Sequence, residues 1–412
     1  MVKIAGWESK ALGELIDEGK ISIQTGPFGT VLSASEFVKY GIPIVAVREI
    51  REGYIQIFDE TPCVSMETYN RLPKYNLSDN DLVFARKGNV ERSALIPSTQ
   101  SKYFLGSDGI RLRVINKSIL PLYLFYAIQS NTAKNFLIQN AYGTTMAGLN
   151  ERILSSIPLV LPVNVEEQSA IAEALSDVDN LISSLQKLIE KKKSIKQGAM
   201  QELLTGKKRL PGFSEKWKSK SLENLGELLR EVVNPQDFSE DLFYEYSMPA
   251  YDDGKHPIKV RGASMHSSKL KISGEVLLFN KLNVWQKRVW FVGKCKENSV
   301  CSSEFLPYHS SNILPTYLYQ LLISDRITAD FEGMSTGTSN SQKRITPTDF
   351  LNYRIFIPDI NEQQAISQIL SNMDREIEQL EKKLAKYQQI KQGMMQELLT
   401  GRIRLKEGEN NG

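Results

Sequence analysis

Ile195-Lys196-Gln197-Gly198-Ala199-Met200-Gln201-Glu202-Leu203-Leu204-Thr205-Gly206 returns as Ile390-Lys391-Gln392-Gly393-Met394-Met395-Gln396-Glu397-Leu398-Leu399-Thr400-Gly401, with a single substitution in the block. The copies stay in register without a gap from Glu167-Gln168 and Glu362-Gln363 onward, a constant offset of 195 residues. That period is too long for a solenoid, so the repeating unit is a whole domain plus a helix. Both units open alike, Trp7-Glu8-Ser9-Lys10-Ala11-Leu12 against Trp217-Lys218-Ser219-Lys220-Ser221-Leu222, then Gly13-Glu14-Leu15 against Gly226-Glu227-Leu228.

After Pro162 and again after Pro358 the pattern becomes an unbroken helical period. Ile171, Leu175, Val178, Ile182, Leu185 and Ile189 follow alternating steps of four and three, as do Ile366, Leu370, Met373, Ile377, Leu380 and Leu384. These are heptad seams, and each needs an apolar partner. Glu166 and Glu167 suit the positive end of a helix dipole, while Lys207-Lys208-Arg209 suit the negative end. Thr205-Gly206 and Thr400-Gly401 read as stops. Each helix is then about 40 residues and roughly 60 Å long at 1.5 Å per residue. Gly198 and Gly393 lie inside them, where glycine costs about 1 kcal/mol against alanine. A close helix crossing or a contact with another subunit would offset that cost.

The chain has 412 residues, 41% hydrophobic and 24% charged, which suits a soluble protein of two or more domains. No apolar run approaches the roughly 18 residues needed to span a bilayer, and the first residues lack a signal-peptide core, so a cytoplasmic location is expected. Cys63, Cys295 and Cys301 are too few and scattered for a disulfide framework. Cys295, Cys301 and His309 fit no common zinc spacing, so no metal site is expected. No nucleotide cradle, G-x-x-x-x-G-K-[ST] or G-x-G-x-x-G, occurs. Asp253-Gly254-Lys255 lacks the upstream carboxylate of a nuclease site, and Asn234-Pro235-Gln236-Asp237 lacks the second proline and aromatic of an amino-methyltransferase. No catalytic residue is assigned.

The expected organisation is a first globular domain over 1–162, a central long helix over 163–206, a second domain over 207–358, a C-terminal long helix over 359–405 and a disordered tail over 406–412. Both domains read as α+β. In the first, strands are expected at Ile42 to Val47, Gly53 to Phe58, Asp81 to Ala85 and Ile110 to Ile115, with a helix from Leu120 to Asn140. In the second, strands are expected around Glu275 to Phe279 and Arg288 to Val292, with a helix from Pro315 to Ile327. Similar order with different residues means a kept scaffold and a changed surface, which suits two unlike halves of one elongated ligand.

DNA is the natural candidate. Net charge is only +3, but basic residues cluster and polar loops supply base-reading side chains. The first domain offers Gln24, Thr25, Thr30, Arg48, Arg86, Lys87, Asn89, Thr144 and Thr145. The second offers Lys259, Arg261, Lys281, Asn283, Gln286, Lys287, Thr338 and Ser339. Arginine and lysine pair with guanine edges, asparagine and glutamine with adenine, and small hydroxyls with phosphates. Turn chemistry alone also enriches glycine, threonine and asparagine in loops.

The Trp-led openings with Leu-Gly-Glu-Leu character, Gly26-Pro27-Phe28-Gly29, Val300-Cys301-Ser302-Ser303-Glu304-Phe305, the Glu-Gln helix entries after proline and the repeated Gln-Glu-Leu-Leu-Thr-Gly ends span essentially the whole chain. In these features the chain resembles the specificity subunit of type I restriction-modification enzymes. The resemblance implies two target recognition domains, each entering a major groove of double-stranded DNA and reading half of a bipartite, asymmetric site. It implies that the long helices pack as an antiparallel coiled coil with pseudo-two-fold symmetry and fix the spacer between the half-sites. Two methyltransferase subunits would dock on the chain and use S-adenosylmethionine to methylate adenine N6. Motor-nuclease subunits would supply ATP- and Mg-dependent translocation and cleavage, with no cofactor held by this chain. Competing readings are the specificity subunit of a type IIB or type IIG system, a coiled-coil scaffold that binds only proteins, and a stand-alone nuclease.

Overall fold

The computed structural model describes residues 5–98, 101–143, 148–337 and 342–405. The expected tail over 406–412 lies outside the described residues. Contacts divide the chain into two units, 1–185 with 383–412, and 186–382. The long helices are Val165–Leu203 and Ile360–Leu398, 39 residues each. A unit therefore comprises a globular domain, the N-terminal half of the helix that follows it, and the C-terminal half of the other helix.

In the first unit, a four-stranded antiparallel sheet runs in the order Ile21–Thr25, Gly109–Val114, Leu82–Ala85, Ser93–Leu95. Leu82 and Phe84 enter one core while Val83 and Ala85 enter another, as strand alternation requires. The second unit repeats this sheet with Gly226–Leu228, Phe305–Ser310, Val276–Asn280 and Val289–Val292. Leu277 and Phe279 face one core there, Val276 and Leu278 the other. The five-stranded sheets differ. Phe37–Val38, Cys63–Val64, Ile42–Val45, Tyr103–Leu105 and Asn76–Leu77 line up in the first unit. Val232–Val233, Lys269–Lys271, Ser299–Cys301, Leu242–Tyr246 and Ile258–Arg261 do so, by another connectivity, in the second.

Three local expectations are corrected. Gly53 to Phe58 is no strand; Gly53 takes φ +89°, and among the described residues the pairing of this stretch is limited to isolated bridges, Ile50 to Ile55 and Gly53 to Ala94. The helix expected from Leu120 to Asn140 is two, Pro121–Gln129 and Asn131–Asn140, because extended Ser130 breaks it and caps the second piece by accepting from the Ala133 N–H at 3.3 Å. Ser324 likewise divides Pro315–Leu322 from Asp325–Met334.

The helix seams do two jobs. Ile171 and Leu175 lie in the core of the first unit with Leu398 and Leu399, and the equivalent Ile366 and Leu370 lie in the core of the second with Leu203 and Leu204. The start of each seam thus packs into a globular core beside the end of the other helix. Further along, Leu185, Ile189 and Ile377 are buried, and Val178, Ile182, Met373, Leu380 and Leu384 are half-buried. Within each unit the two helix halves are antiparallel. Asp179 pairs with Lys391 at 2.6 Å in the first unit; Lys196 with Asp374 at 2.5 Å and Lys192 with Glu376 at 2.6 Å do so in the second.

The repeated Glu-Gln motif closes each unit. Buried Glu167 accepts from the Trp7 indole at 3.3 Å and from both arms of Arg404 at 2.8 and 2.7 Å. Buried Glu362 does the same with Trp217 at 3.2 Å and Arg209 at 2.7 Å twice. Gln168 and Gln363 donate to the carbonyls of Pro162 and Pro358 and accept from the Leu120 and Leu314 N–H groups. Gly206 and Gly401 take φ +70° and +67°, the left-handed stops expected after the helices. No described neighbour lies within 4 Å of a Cβ built on Gly198 or Gly393, so a close helix crossing is not what these glycines serve.

Candidate nucleic-acid interface

In the first unit residues 86–92 close the hairpin between Leu82–Ala85 and Ser93–Leu95, and Lys87 and Tyr142 form backbone bridges to Gly148. Arg86 is held by its backbone, donating to the Asp108 carbonyl at 2.9 Å and accepting from Leu149 N–H at 2.8 Å. Its guanidinium lies 5.3 Å from the Phe28 ring centre, and its Nε has no hydrogen-bond partner among the described residues. A cavity of about 610 Å³ opens beside it, lined by Gln24, Thr25, Phe28, Tyr75, Arg86 and Arg152 among others. Thr25 is fixed there by Glu151, which accepts from its N–H at 3.0 Å and its hydroxyl at 2.6 Å.

The fold thus gathers Gln24, Thr25 and Arg86 from distant parts of the chain. Lys87 adjoins them, its ammonium 3.0 Å from Asp108. Gly88 takes φ +76°, Asn89 is exposed, and Thr30 is exposed on the preceding loop. Arg48 does not line this cavity; it pairs with Glu60 at 2.9 Å and lies over Phe58. Thr144 and Thr145 lie outside the described residues.

The equivalent loop of the second unit, 281–288, reaches Arg344 through a bridge from Leu282, and Thr336 bridges to the same Arg344. Lys281 donates its N–H to the Glu304 carbonyl at 3.0 Å, and Asn283 donates to the Lys343 carbonyl at 2.9 Å. Asn283 takes φ +53° where the first unit has Gly88, and Lys287 takes φ +51°. Lys287 is salt-bridged to Asp325. That bond and one from Gln197 hold the Asp325 carboxyl below the usual aspartate range. Gln286 accepts from Arg288, whose guanidinium also grips Asp252. Lys259 is exposed beside Tyr244, and Arg261 is 3.6 Å from Glu240; both stand on the five-stranded sheet, away from this loop in sequence. Thr338 and Ser339 lie outside the described residues.

Reading polar residues alone missed two aromatic side chains. Phe28 is 57% exposed beneath Arg86, and Trp285 is 54% exposed on the 281–288 loop. The signal available in the sequence was an aromatic set among turn-forming or polar residues, Gly26-Pro27-Phe28-Gly29 and Asn283-Val284-Trp285-Gln286-Lys287; that these rings are exposed is decided by the fold. Among the described residues no group of three histidine, cysteine or acidic side chains is placed to hold a metal, and no helix is long and apolar enough to cross a membrane.

The model of the type I restriction modification DNA specificity domain matches residues 5–197 and 214–392. The chain belongs to this family. It carries the specificity domain twice, and it is the non-catalytic DNA-recognition component of a type I system. Among its relatives, the type I restriction enzyme MjaVIII specificity subunit of Methanocaldococcus jannaschii is 27% identical, the match covering 91% of this chain and 93% of that one. A putative type I MjaX specificity subunit from the same organism is 26% identical over 89% and 88%. The type I S subunit of M. genitalium has the same fold, with TM-score 0.61 at 14% identity over 97% of this chain and 98% of that one.

Proposed function

We propose that the two domains of this specificity subunit each enter a major groove of double-stranded DNA and read one half of a bipartite, asymmetric site. The observation that carries this is a four-stranded scaffold and loop pair kept in both units, while the loop residues and five-stranded sheets differ. One scaffold with two unlike surfaces suits two unlike addresses on one duplex.

The chemistry is assigned to partners. Two methyltransferase subunits dock on the long helices and bring S-adenosylmethionine; motor-nuclease subunits bring ATP and Mg; the assembly works in the cytoplasm. Ile195 and the equivalent Ile390 are 47% and 37% exposed, and space is open around both Gly198 and Gly393. A surface repeated with a single substitution in twelve positions fits two copies of one partner. Residues 1–162 and 207–358 serve as the recognition domains, with 163–206 and 359–405 as spacer helices.

Mapping methylated adenines in DNA from cells carrying this chain and its methyltransferase tests the reading. The expected result is two unlike half-sites at one fixed spacing; a single contiguous site would overturn it. Adding or deleting four residues in one long helix is expected to change the preferred spacer in a methylation library while leaving both half-sites intact. Replacing Arg86, Lys87, Lys281 or Lys287 by a neutral residue separates two roles. Loss of a phosphate contact weakens binding to all sequences and reduces the salt slope by about 1, whereas loss of a base contact relaxes one position.

A further inference from the structure

Trp285 differs from the other three tryptophans. Trp290 is buried, and the Trp7 and Trp217 indoles are hydrogen-bonded to Glu167 and Glu362. Trp285 sits in the short 3-10 turn Val284–Gln286 and leaves over half its surface to solvent.

The turn beneath it is held from every side. Val284 is buried in the main core of the unit. Asn283 N–H donates to Lys343, Lys287 pairs with Asp325, and the Lys287 carbonyl accepts from the Tyr251 hydroxyl at 3.4 Å. The residues on either side of the turn, Asn283 and Lys287, both adopt positive φ. Non-glycine residues seldom do so, and such strain persists only where surroundings over-determine it, often at binding sites. The polar residues of the turn are spent on its own scaffold: Gln286 holds Arg288, and Lys287 holds Asp325. Within 281–288 the indole is the most exposed side chain, the others being buried or half-buried.

We propose that Trp285 is a specificity-determining residue of the second domain, its indole packing against bases in the half-site this domain reads. The inference rests on the proposed DNA binding of that domain. An aromatic side chain held rigidly beside basic residues fits the thymine methyl group that the major groove presents, and its ordering cost is already met before binding. It also explains why a large apolar group stays exposed on a loop that could have carried a polar one.

The test uses the full chain with its methyltransferase, on the duplex defined by mapping methylated adenines. Trp285→Ala is expected to lose roughly 10- to 100-fold in affinity, the range set by one lost base contact in a duplex site. It should also relax discrimination in the second domain's half-site only. Trp285→Phe should retain part of the affinity, and should abolish the change in tryptophan fluorescence that DNA causes in the parent complex. If the parent complex binds its bipartite site and Trp285→Ala binds it equally well with the same preferences, the assignment fails while DNA reading stands. If Trp285→Ala instead loses the methyltransferase and keeps both half-sites, the indole is a protein contact and the assignment also fails. A parent complex with no sequence preference would overturn both.

Discussion

At the scale of single residues, the side chains that close each unit are Glu167 and Glu362. A buried carboxylate is stable only while its partners remain, since desolvation leaves an unpaired charge costly. Glu362→Ala leaves Arg209 and Trp217 without their acceptor and is expected to lower the melting temperature clearly, whereas replacing the exposed pair Lys382 and Glu378 should be silent; calorimetry compares them. The repeat marks Glu167 and Glu362 as special in the sequence, yet their partners are out of its sight. Trp7 lies 160 residues before Glu167 and Arg404 lies 237 after it. The thiols give a second prediction. Burial pushes Cys295 up to about 11 and Cys301 up to about 12, so the folded chain favours their protonated forms. That contribution to stability is intact at neutral pH and is lost as pH climbs above the ordinary thiol range of about 8.5 toward those values. At pH 8 a thiol reagent should label Cys301 only slowly, and rapidly after denaturation; fast labelling of the native chain would contradict this.

At the scale of elements, the long helices and their stops were legible because a 3.6-residue period repeated with glycine ends leaves few alternatives. The breaks at Ser130 and Ser324 were not, because neither serine is flanked by the proline or glycine that marks a stop, and the deciding event is a hydroxyl turning to cap the next helix. The helix glycines now have a sharper expectation. With open space around both, Gly198→Ala and Gly393→Ala should each stabilise the isolated chain by about 1 kcal/mol, measured by denaturant unfolding. If the glycines serve a docked subunit, the same changes should weaken methyltransferase binding. The pairing of helix halves can be tested by charge reversal: Lys196→Asp should destabilise the second unit, and adding Asp374→Lys should recover part of the loss, about 0.5 kcal/mol of coupling.

At the scale of the molecule, each unit has its own cores, and equivalent substitutions should act locally. Leu175→Ala and Leu370→Ala remove fully buried side chains at matching positions, and each is expected to cost about 3 kcal/mol. Hydrogen exchange should place the first loss in residues 1–185 with 383–412 and the second in 186–382. By itself the sequence determined the duplication, the helix lengths and stops, the α+β character of the domains and the family, because these rest on local period, capping and motifs. Only the tertiary structure decided that each helix end completes the core beside the start of the other helix. It also decided that Gln24, Thr25 and Arg86 share one cavity, that Lys287 is held by Asp325, and that Trp285 is left outward. Those outcomes depend on contacts between residues tens to hundreds of positions apart, and local propensity carries no information about which distant partner a side chain will meet.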